Sequence, residues 1–145
     1  MPDRLIESLI QNQRIVTIQM TSTVAETARL MQQREIGAIM VVAQGRLSGI
    51  FTERDALFRV LAQGRDPQTT VLREVMTRDP QTITRNKPFG HALHMMYEGG
   101  FRHVPVVEDG VPIGIVSARE VLGPELEEFA CDLQRREQIA ESLGG

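Results

Sequence analysis

The sequence is poor in cysteine and aromatic residues and has no long apolar run. Its 145 residues include no Trp, one Tyr, five Phe and a single cysteine, Cys131. A lone cysteine excludes an internal disulfide, and the acidic residues around Cys131 disfavour a reactive thiolate. The longest apolar run, 36–43, is too short to span a bilayer, and the first residues show no signal-peptide pattern. We therefore expect a cytoplasmic protein.

Several chemistries also lack the residues they need. The net charge of −3 predicts no general attraction to nucleic acid or to an anionic membrane. There is no phosphate loop of the Gly-x-x-x-x-Gly-Lys type, and no Ser/His/Asp or Cys/His set stands out. His91 and His94 are three residues apart on an expected helix, but a third metal ligand at suitable spacing is missing. We expect no catalytic residues, no metal and no enzymatic activity.

The chain does contain an internal repeat. The stretch 49–55, Gly-Ile-Phe-Thr-Glu-Arg-Asp, returns 65 residues later at 114–120 as Gly-Ile-Val-Ser-Ala-Arg-Glu. At this offset, identical pairs recur between Thr17/Thr82 and Leu57/Leu122, and the alignment of the two copies needs no gap over this range. A fixed period of this kind indicates one structural unit present twice.

Each copy reads strand–helix–strand–strand–helix, which predicts an α+β fold. Copies of about 50 residues bury too little surface to be stable alone, so we expect them to pack sheet against sheet about a pseudo-twofold axis. The predicted segments are an N-terminal helix (1–13), a first repeat (14–63), a linker (64–75), a second repeat (76–123) and a C-terminal helix (124–145).

Local signals predict the individual elements. Thr23 followed by Glu26 is a capping box at the start of a helix, and glycines after polar residues indicate hairpin turns. The expected elements include helices over 24–34, 53–62 and 88–99, a connecting turn over 71–76, a brief strand at 82–83, and hairpins closed by Gly45 and Gly110.

The duplicated pattern resembles the CBS domain pair, or Bateman module. Three features at constant register carry the resemblance, which covers about 14–122. They are the strand 36–42 with its copy 101–107, the Gly-apolar-apolar-Thr/Ser-x-x-acid endings, and the Glu-Val-Met-Thr sequence at 74–77. The resemblance implies two tandem repeats with a ligand cleft between them.

The two Thr/Ser-x-x-acid turns are the first candidate sites. A hydroxyl at a helix N-terminus suits an anion, and a carboxylate one turn later can accept hydrogen bonds from a ribose diol. From the residues alone, Thr52 and Asp55 can equally be helix caps, and the resemblance favours contacts with ribose and phosphate. In the second copy Ser117 keeps the hydroxyl, but Glu120 replaces Asp, which puts diol chelation in doubt there. The cleft built on Thr52 and Asp55 is therefore the better candidate site.

The resemblance also implies that basic residues near the second strand of the second copy reach ligand phosphates, while an apolar slot holds adenine. The alternatives are an exposed Arg102 and a capping His103, with the apolar residues simply filling the core. The predicted ligand contacts are Val16, Thr17, Ile36, Ala38, Ile50, Thr52, Arg54, Asp55, Thr82, Arg102, His103, Val104, Pro105, Ser117, Arg119 and Glu120.

The expected function is that of a regulatory module sensing an adenosine compound: AMP, ADP, ATP, NAD(H) or S-adenosylmethionine, with AMP or ATP foremost. We expect a homodimer, formed through the helices after the two Thr/Ser turns, and an unknown effector protein. The terminal helix offers a second docking stripe, formed by Leu126, Phe129, Ala130, Leu133 and Ile139. The alternative is a ligand-free dimerisation scaffold for a partner protein.

Overall fold

The computed structural model describes residues 4–144, with the side chains of residues 4–123 and 131–142. Residues 1–3 and 145, at the ends of the predicted terminal segments, lie outside the described residues. The elements in chain order are α1 (Ile6–Ile10), β1 (Thr17–Gln19), α2 (Val24–Arg34), β2 (Ala38–Ala43), β3 (Arg46–Thr52), α3 (Glu53–Asp55) continued by a π-helix (Ala56–Leu61), α4 (Leu72–Val75), β4 (Thr77–Arg78), α5 (Phe89–Gly99), β5 (His103–Glu108), β6 (Val111–Ser117), a 3₁₀-helix (Ala118–Leu122) and α6 (Gly123–Gly144).

The two copies have the same strand register. β2 and β3 form an antiparallel hairpin in which Ala38 lies opposite Thr52. β5 and β6 form a second hairpin in which His103 lies opposite Ser117. Each of these residues is 65 positions from its counterpart, and both hairpins carry a register shift at equivalent places. The backbone pairing therefore confirms the internal repeat and the α+β fold.

Both hairpins close through a turn that requires left-handed backbone. Gln44 and Gly45 have φ values of 54° and 76°, and Asp109 and Gly110 have 52° and 81°. Two successive residues with positive φ are typical of a type I′ turn, whose twist matches that of the flanking strands. Glycine adopts this conformation without a steric cost, so the second turn position is glycine in both copies.

The sheet of the first copy is the more complete one. Its order is β1-β2-β3-β4, whereas the second copy has a two-stranded sheet, β5-β6. There the place of β1 is taken by a single parallel bridge between Ile83 and Val106. The place of β4 is taken by the Gln13 side chain, whose Nε2 donates to the Ile115 carbonyl at 2.8 Å while its Oε1 accepts from the Ile115 N–H at 2.7 Å.

Each copy has its own hydrophobic core, completed by a helix from outside that copy. Ile6 of α1, which precedes the first copy in sequence, is fully buried in the second core with Phe89 and Val104. Leu72 and Val75 of α4, which precedes the second copy, are buried in the first core. The helices are therefore exchanged, and this exchange ties the two copies together.

The copies meet through their sheets, where β3 contacts β6. A backbone hydrogen bond from the Leu47 N–H to the Gly110 carbonyl, 2.9 Å long, joins the two hairpins. This arrangement agrees with the predicted packing of two small units that are not stable alone.

Some local expectations differ from the structure. The helix expected over 53–62 is α-helical only to Asp55 and continues as a π-helix, and the turn expected over 71–76 contains α4. Apolar spacing does not distinguish α from π winding, so the sequence carried no signal for this change. Of the capping box predicted for α2, the bond from the Glu26 N–H to Thr23 Oγ1 is present at 3.1 Å.

The terminal helix α6 is exposed along residues 131–142, including Leu133 and Ile139 of the predicted docking stripe. The other stripe residues, Leu126, Phe129 and Ala130, lie outside the described side chains. In the described chain, no helix has both the length and the apolar character needed to cross a membrane.

Candidate functional site

A cleft of about 1270 Å³ lies where the two copies meet. The first copy contributes mainly apolar side chains from α2, the start of β2 and the π-helix. The second copy contributes the start of β5 and the turn after β6, which carry Arg102, His103 and Arg119. The cleft therefore joins an apolar wall to a basic one. Its apolar lining is formed by Val24, Ala28, Met31, Ile36, Ala38, Phe51, Ala56, Leu57, Val60, Leu61 and Ile115.

The structure brings together some of the predicted ligand contacts. Those that line the cleft are Ile36, Ala38, Arg102, His103, Ser117, Arg119 and Glu120. The others, in this described part of the chain, lie outside the lining: Val16, Thr17, Ile50, Thr52, Arg54, Asp55, Thr82, Val104 and Pro105. Four of these, Ile50, Asp55, Val104 and Pro105, are buried. Ligand contact by each residue stays a prediction.

Thr52 and Asp55 form a reciprocal helix cap. The Thr52 N–H donates to Asp55 Oδ2 at 3.0 Å, and the Asp55 N–H donates to Thr52 Oγ1 at 3.2 Å. Asp55 Oδ1 lies 3.4 Å from Arg59 Nε, and Asp55 is only 8% exposed. Both carboxylate oxygens thus have partners within the first copy. The geometry is that of a cap, the structural alternative left open by the residues alone.

The equivalent turn of the second copy is built differently. Ser117 makes no side-chain cap bond in the described structure, and Glu120 lines the cleft. Burial raises the pKa of the Glu120 carboxyl, while a hydrogen bond from the Ser117 backbone and the charge of Arg4 act in the opposite direction. The position that matches Arg59 is Pro124. The cation beside Glu120 therefore comes from the N-terminal segment.

Arg4 is fixed by several contacts. Its Nη2 donates to the Glu120 carbonyl at 2.6 Å, and its guanidinium lies 5.4 Å from the centroid of the Phe89 ring. The Arg4 Nε is buried and has no hydrogen-bond partner among the described residues. Since Arg4 precedes α1, these contacts connect the exchanged helix to the turn that carries Glu120.

We expect Arg4→Met to lower the free energy of unfolding by about 1 kcal/mol at pH 7. Because the Arg4 charge stabilises ionised Glu120, the loss is expected to shrink at pH 4.5, where more of this carboxyl is protonated. Urea denaturation at both pH values measures the difference. Arg34→Met, on the exposed end of α2, is the control for loss of a surface charge. An equal loss at both pH values would contradict the role of the Arg4 charge.

Arg102 and His103 mark the basic end of the cleft. The Arg102 carbonyl accepts a 2.9 Å hydrogen bond from the Ala118 N–H, which fixes the start of β5 against the turn after β6. Burial lowers the pKa of His103 below its usual value, Glu53 raises it and Arg102 lowers it further. The neutral form of His103 is therefore favoured in the free protein.

Glu53 and Gln13 are two of the lining residues that the sequence reasoning missed. Glu53 directly follows the predicted Thr52. The signal in the sequence that could have found Glu53 was Gly37, whose missing side chain leaves room for it. The Glu53 backbone N–H donates to the Gly37 carbonyl at 3.0 Å, and the Glu53 Cδ lies 3.2 Å from where a Cβ on Gly37 would be. Gln13 also lines the cleft. Its place depends on tertiary contacts, and no local pattern signals it.

No group of three or more His, Cys, Asp or Glu side chains within the described residues is placed to hold a metal ion. What the cleft offers instead is an apolar surface beside nitrogen donors. Pockets that hold organic ligands combine these two features, with a few polar groups setting orientation.

Comparison with known proteins gives consistent matches. A family model described as "CBS domain" matches residues 6–62 and 72–124. The CBS domain-containing protein YhcV of Bacillus subtilis is 38% identical over 104 residues, covering 72% of this chain and 74% of that protein. The "Meiotically up-regulated gene 70 protein" of Schizosaccharomyces pombe is 33% identical over 141 residues, 90% of this chain. The chain spans about a fifth of the length of the first curated relatives it matches.

A solved structure also matches the fold. The CBS domain pair of protein MJ0100, in complex with 5′-methylthioadenosine and S-adenosyl-L-methionine, has a TM-score of 0.76 at 25% identity. The match covers 88% of this chain and 99% of that one. CBS domain pairs are regulatory ligand-binding modules. With two family matches over most of its length and the same fold repeated at one offset, the chain belongs to the CBS domain family as a tandem pair.

Proposed function

We propose that this chain senses an adenosine compound in the cleft between its two copies and passes the signal to a partner protein. The observation that carries the proposal is the composition of the cleft. The apolar wall of the first copy suits a purine ring, and Arg102, His103 and Arg119 of the second copy suit a negatively charged or polar substituent. A ligand in contact with both copies would change their relative position.

The MJ0100 domain pair supports an adenosine ligand, because two adenosine compounds were found with that protein. The volume of about 1270 Å³ is ample for a nucleoside with a substituent. Ligand binding that favours one arrangement of the copies shifts the population toward it. A regulatory role needs no chemical turnover, so we propose a sensor without enzymatic activity.

A homodimer is the second part of the proposal. The π-helix exposes Leu57, Phe58 and Leu61, the last with 73% of its surface exposed. The equivalent helix of the second copy exposes Val121 and Leu122. These are the helices after the two Thr/Ser turns. Apolar clusters of this size are typical of interfaces, so we propose that two chains associate here, in the cytoplasm.

A melting-temperature screen tests the proposal. AMP, ADP, ATP, NAD(H) and S-adenosylmethionine are added to the purified chain, with guanosine and cytidine nucleotides as controls. We expect at least one adenosine compound to raise the melting temperature, since ligand binding to the folded state stabilises it by mass action. If none of them raises the melting temperature, the result would favour a ligand-free scaffold. This is the second candidate function, because the Asp55 carboxylate already has partners within the first copy and the helices after the Thr/Ser turns are exposed.

The proposal predicts a pH dependence. The pKa of His103 is lowered in the free protein, so a bound phosphate raises it and binding takes up a proton. The affinity for AMP should therefore rise as pH falls from 8 to 6.5. Calorimetric titration at several pH values measures this dependence. The charged groups that line the same cleft as His103 include Glu53, Arg102, Arg119 and Glu120. Because AMP itself titrates in this range, an unchanged pH profile in His103→Gln would contradict the assignment.

A further inference from the structure

The two copies differ at two pairs of equivalent positions beside the cleft, Gly37/Arg102 and Glu53/Ala118. In the first copy the Glu53 N–H donates to the Gly37 carbonyl at 3.0 Å, and in the second copy the Ala118 N–H donates to the Arg102 carbonyl at 2.9 Å. The backbone arrangement is the same, 65 residues apart. The first copy places an acid next to a glycine, whereas the second places a base next to an alanine. The cleft is therefore asymmetric in charge.

Glu53 is exposed and lines the cleft beside Gly37. Its carboxyl atoms lie 3.2–3.3 Å from where a Cβ on Gly37 would be, so the missing side chain of Gly37 provides its space. Glu53, Arg102 and His103 all line the same cleft. The negative charge of Glu53, in the first copy, raises the pKa of His103 in the second copy. Glu53 thus acts on the basic groups that a ligand phosphate would approach.

The charged lining of the cleft is balanced. Three arginines, Arg65, Arg102 and Arg119, face three glutamates, Glu35, Glu53 and Glu120. With His103 neutral, the sum of these charges is zero. A triphosphate carries a charge of about −4 near neutral pH and a monophosphate about −2. Such a cleft offers no net positive field for a polyphosphate.

We propose that Glu53 is a specificity-determining residue that excludes polyphosphates, so that the cleft takes an adenosine compound with at most one phosphate or with a cationic substituent. This inference rests on the proposed function, since it concerns the ligand of the same cleft. Arg102 and His103 remain available to one anionic group, while each further phosphate adds repulsion from Glu53. A positively charged substituent would instead be attracted by the same carboxylate.

The test compares AMP and ATP by calorimetric titration into the full chain and into Glu53→Gln, which removes the charge and keeps the shape. We expect the ATP dissociation constant to fall about tenfold and that of AMP about threefold, because the repulsion grows with ligand charge. Glu26→Gln is the matched control. Glu26, like Glu53, is an acid in the first turn of a helix capped by threonine, but it does not line the cleft. It should leave both constants unchanged.

A second probe separates this inference from the proposed function. Inorganic triphosphate has no adenosine, and we expect Glu53→Gln to bind it more tightly than the wild type whether or not adenosine compounds bind. If no adenosine compound binds but triphosphate binding improves in Glu53→Gln, the proposed function is wrong and Glu53 still excludes polyphosphate. Equal gains for AMP and ATP, or triphosphate binding that is the same in both proteins, would overturn the inference.

Discussion

Replacing Gly49 with alanine is expected to lower the free energy of unfolding by about 3 kcal/mol, because the added methyl group has no room. A Cβ at this position would lie 2.6 Å from Met76 Sδ and 2.8 Å from the Thr77 carbonyl oxygen. The methionine side chain can move, but Thr77 is backbone of β4, paired with β3 directly beside Gly49. The strand pair must therefore separate to admit the methyl group.

Urea denaturation of Gly49→Ala and Ser48→Ala measures this effect. Ser48 is the neighbouring β3 residue, and its replacement is expected to cost less than about 0.5 kcal/mol. Since Gly49 lies on β3 of the first copy and Met76 directly follows α4, the loss reports on the contact between β3 and the segment that leads into β4. A cost below about 1 kcal/mol for Gly49→Ala would show that β4 does not lie this close to β3.

Ile6→Ala is expected to cost about 3 kcal/mol, the cost typical of truncating a fully buried aliphatic side chain. Ile6 has 0% of its surface exposed and packs in the second core, although α1 precedes the first copy in sequence. The cavity therefore opens beside Phe89 and Val104. Leu5→Ala is the control, since Leu5 is 48% exposed and should cost under about 1 kcal/mol.

The location of the damage tests the helix exchange separately from its size. Amide hydrogen exchange of Ile6→Ala should show protection lost first in β5 and β6, because local opening begins where packing is weakened. Loss of protection confined to β2 and β3 would mean that α1 packs on the copy it precedes. The exchange of helices would then be wrong.

The fold could be predicted largely from the repeat. The equal spacing of the two copies predicted the strands. The glycines at 45 and 110 predicted hairpin turns, which the structure confirms. What the sequence could not show depends on contacts between distant residues. The burial of Ile6 in the second core and the use of the Gln13 amide as a substitute for a strand have no local pattern. The π winding after Asp55 likewise leaves apolar spacing unchanged.

The candidate site could be predicted only in part. The basic residues Arg102 and His103 line the cleft, and their contact with a ligand stays a prediction. Asp55, chosen for its match to the family motif, makes a helix cap and an ion pair. A Thr-x-x-Asp sequence fits a cap and a ribose contact equally well, since both use the same oxygen atoms. Glu53 was missed because its effect depends on a glycine 16 positions earlier and on the opposite copy.

The asymmetry between the copies bears on how many ligands bind. In the first copy the Asp55 carboxylate has Arg59 as its partner, while in the second Glu120 faces the cleft with Arg4 nearby. The Asp55 carboxylate is thus bonded within its own helix, whereas Glu120 lines the cleft and is available to a ligand. We therefore expect one adenosine compound per chain, bound against the second copy's turn and not at Thr52 and Asp55, the site that the sequence favoured.

The most direct test of the account is calorimetric titration of AMP, ATP, NAD(H) and S-adenosylmethionine into the wild-type chain, Arg102→Ala and the control Arg85→Ala. Arg102 is exposed at the mouth of the cleft, so its loss should leave the fold intact, and Arg85 pairs with Glu108 outside the cleft. The account predicts one site per chain for AMP, weakened about tenfold or more in Arg102→Ala and unchanged in Arg85→Ala. Absence of binding by every adenosine compound, or equal affinity in Arg102→Ala, would contradict it.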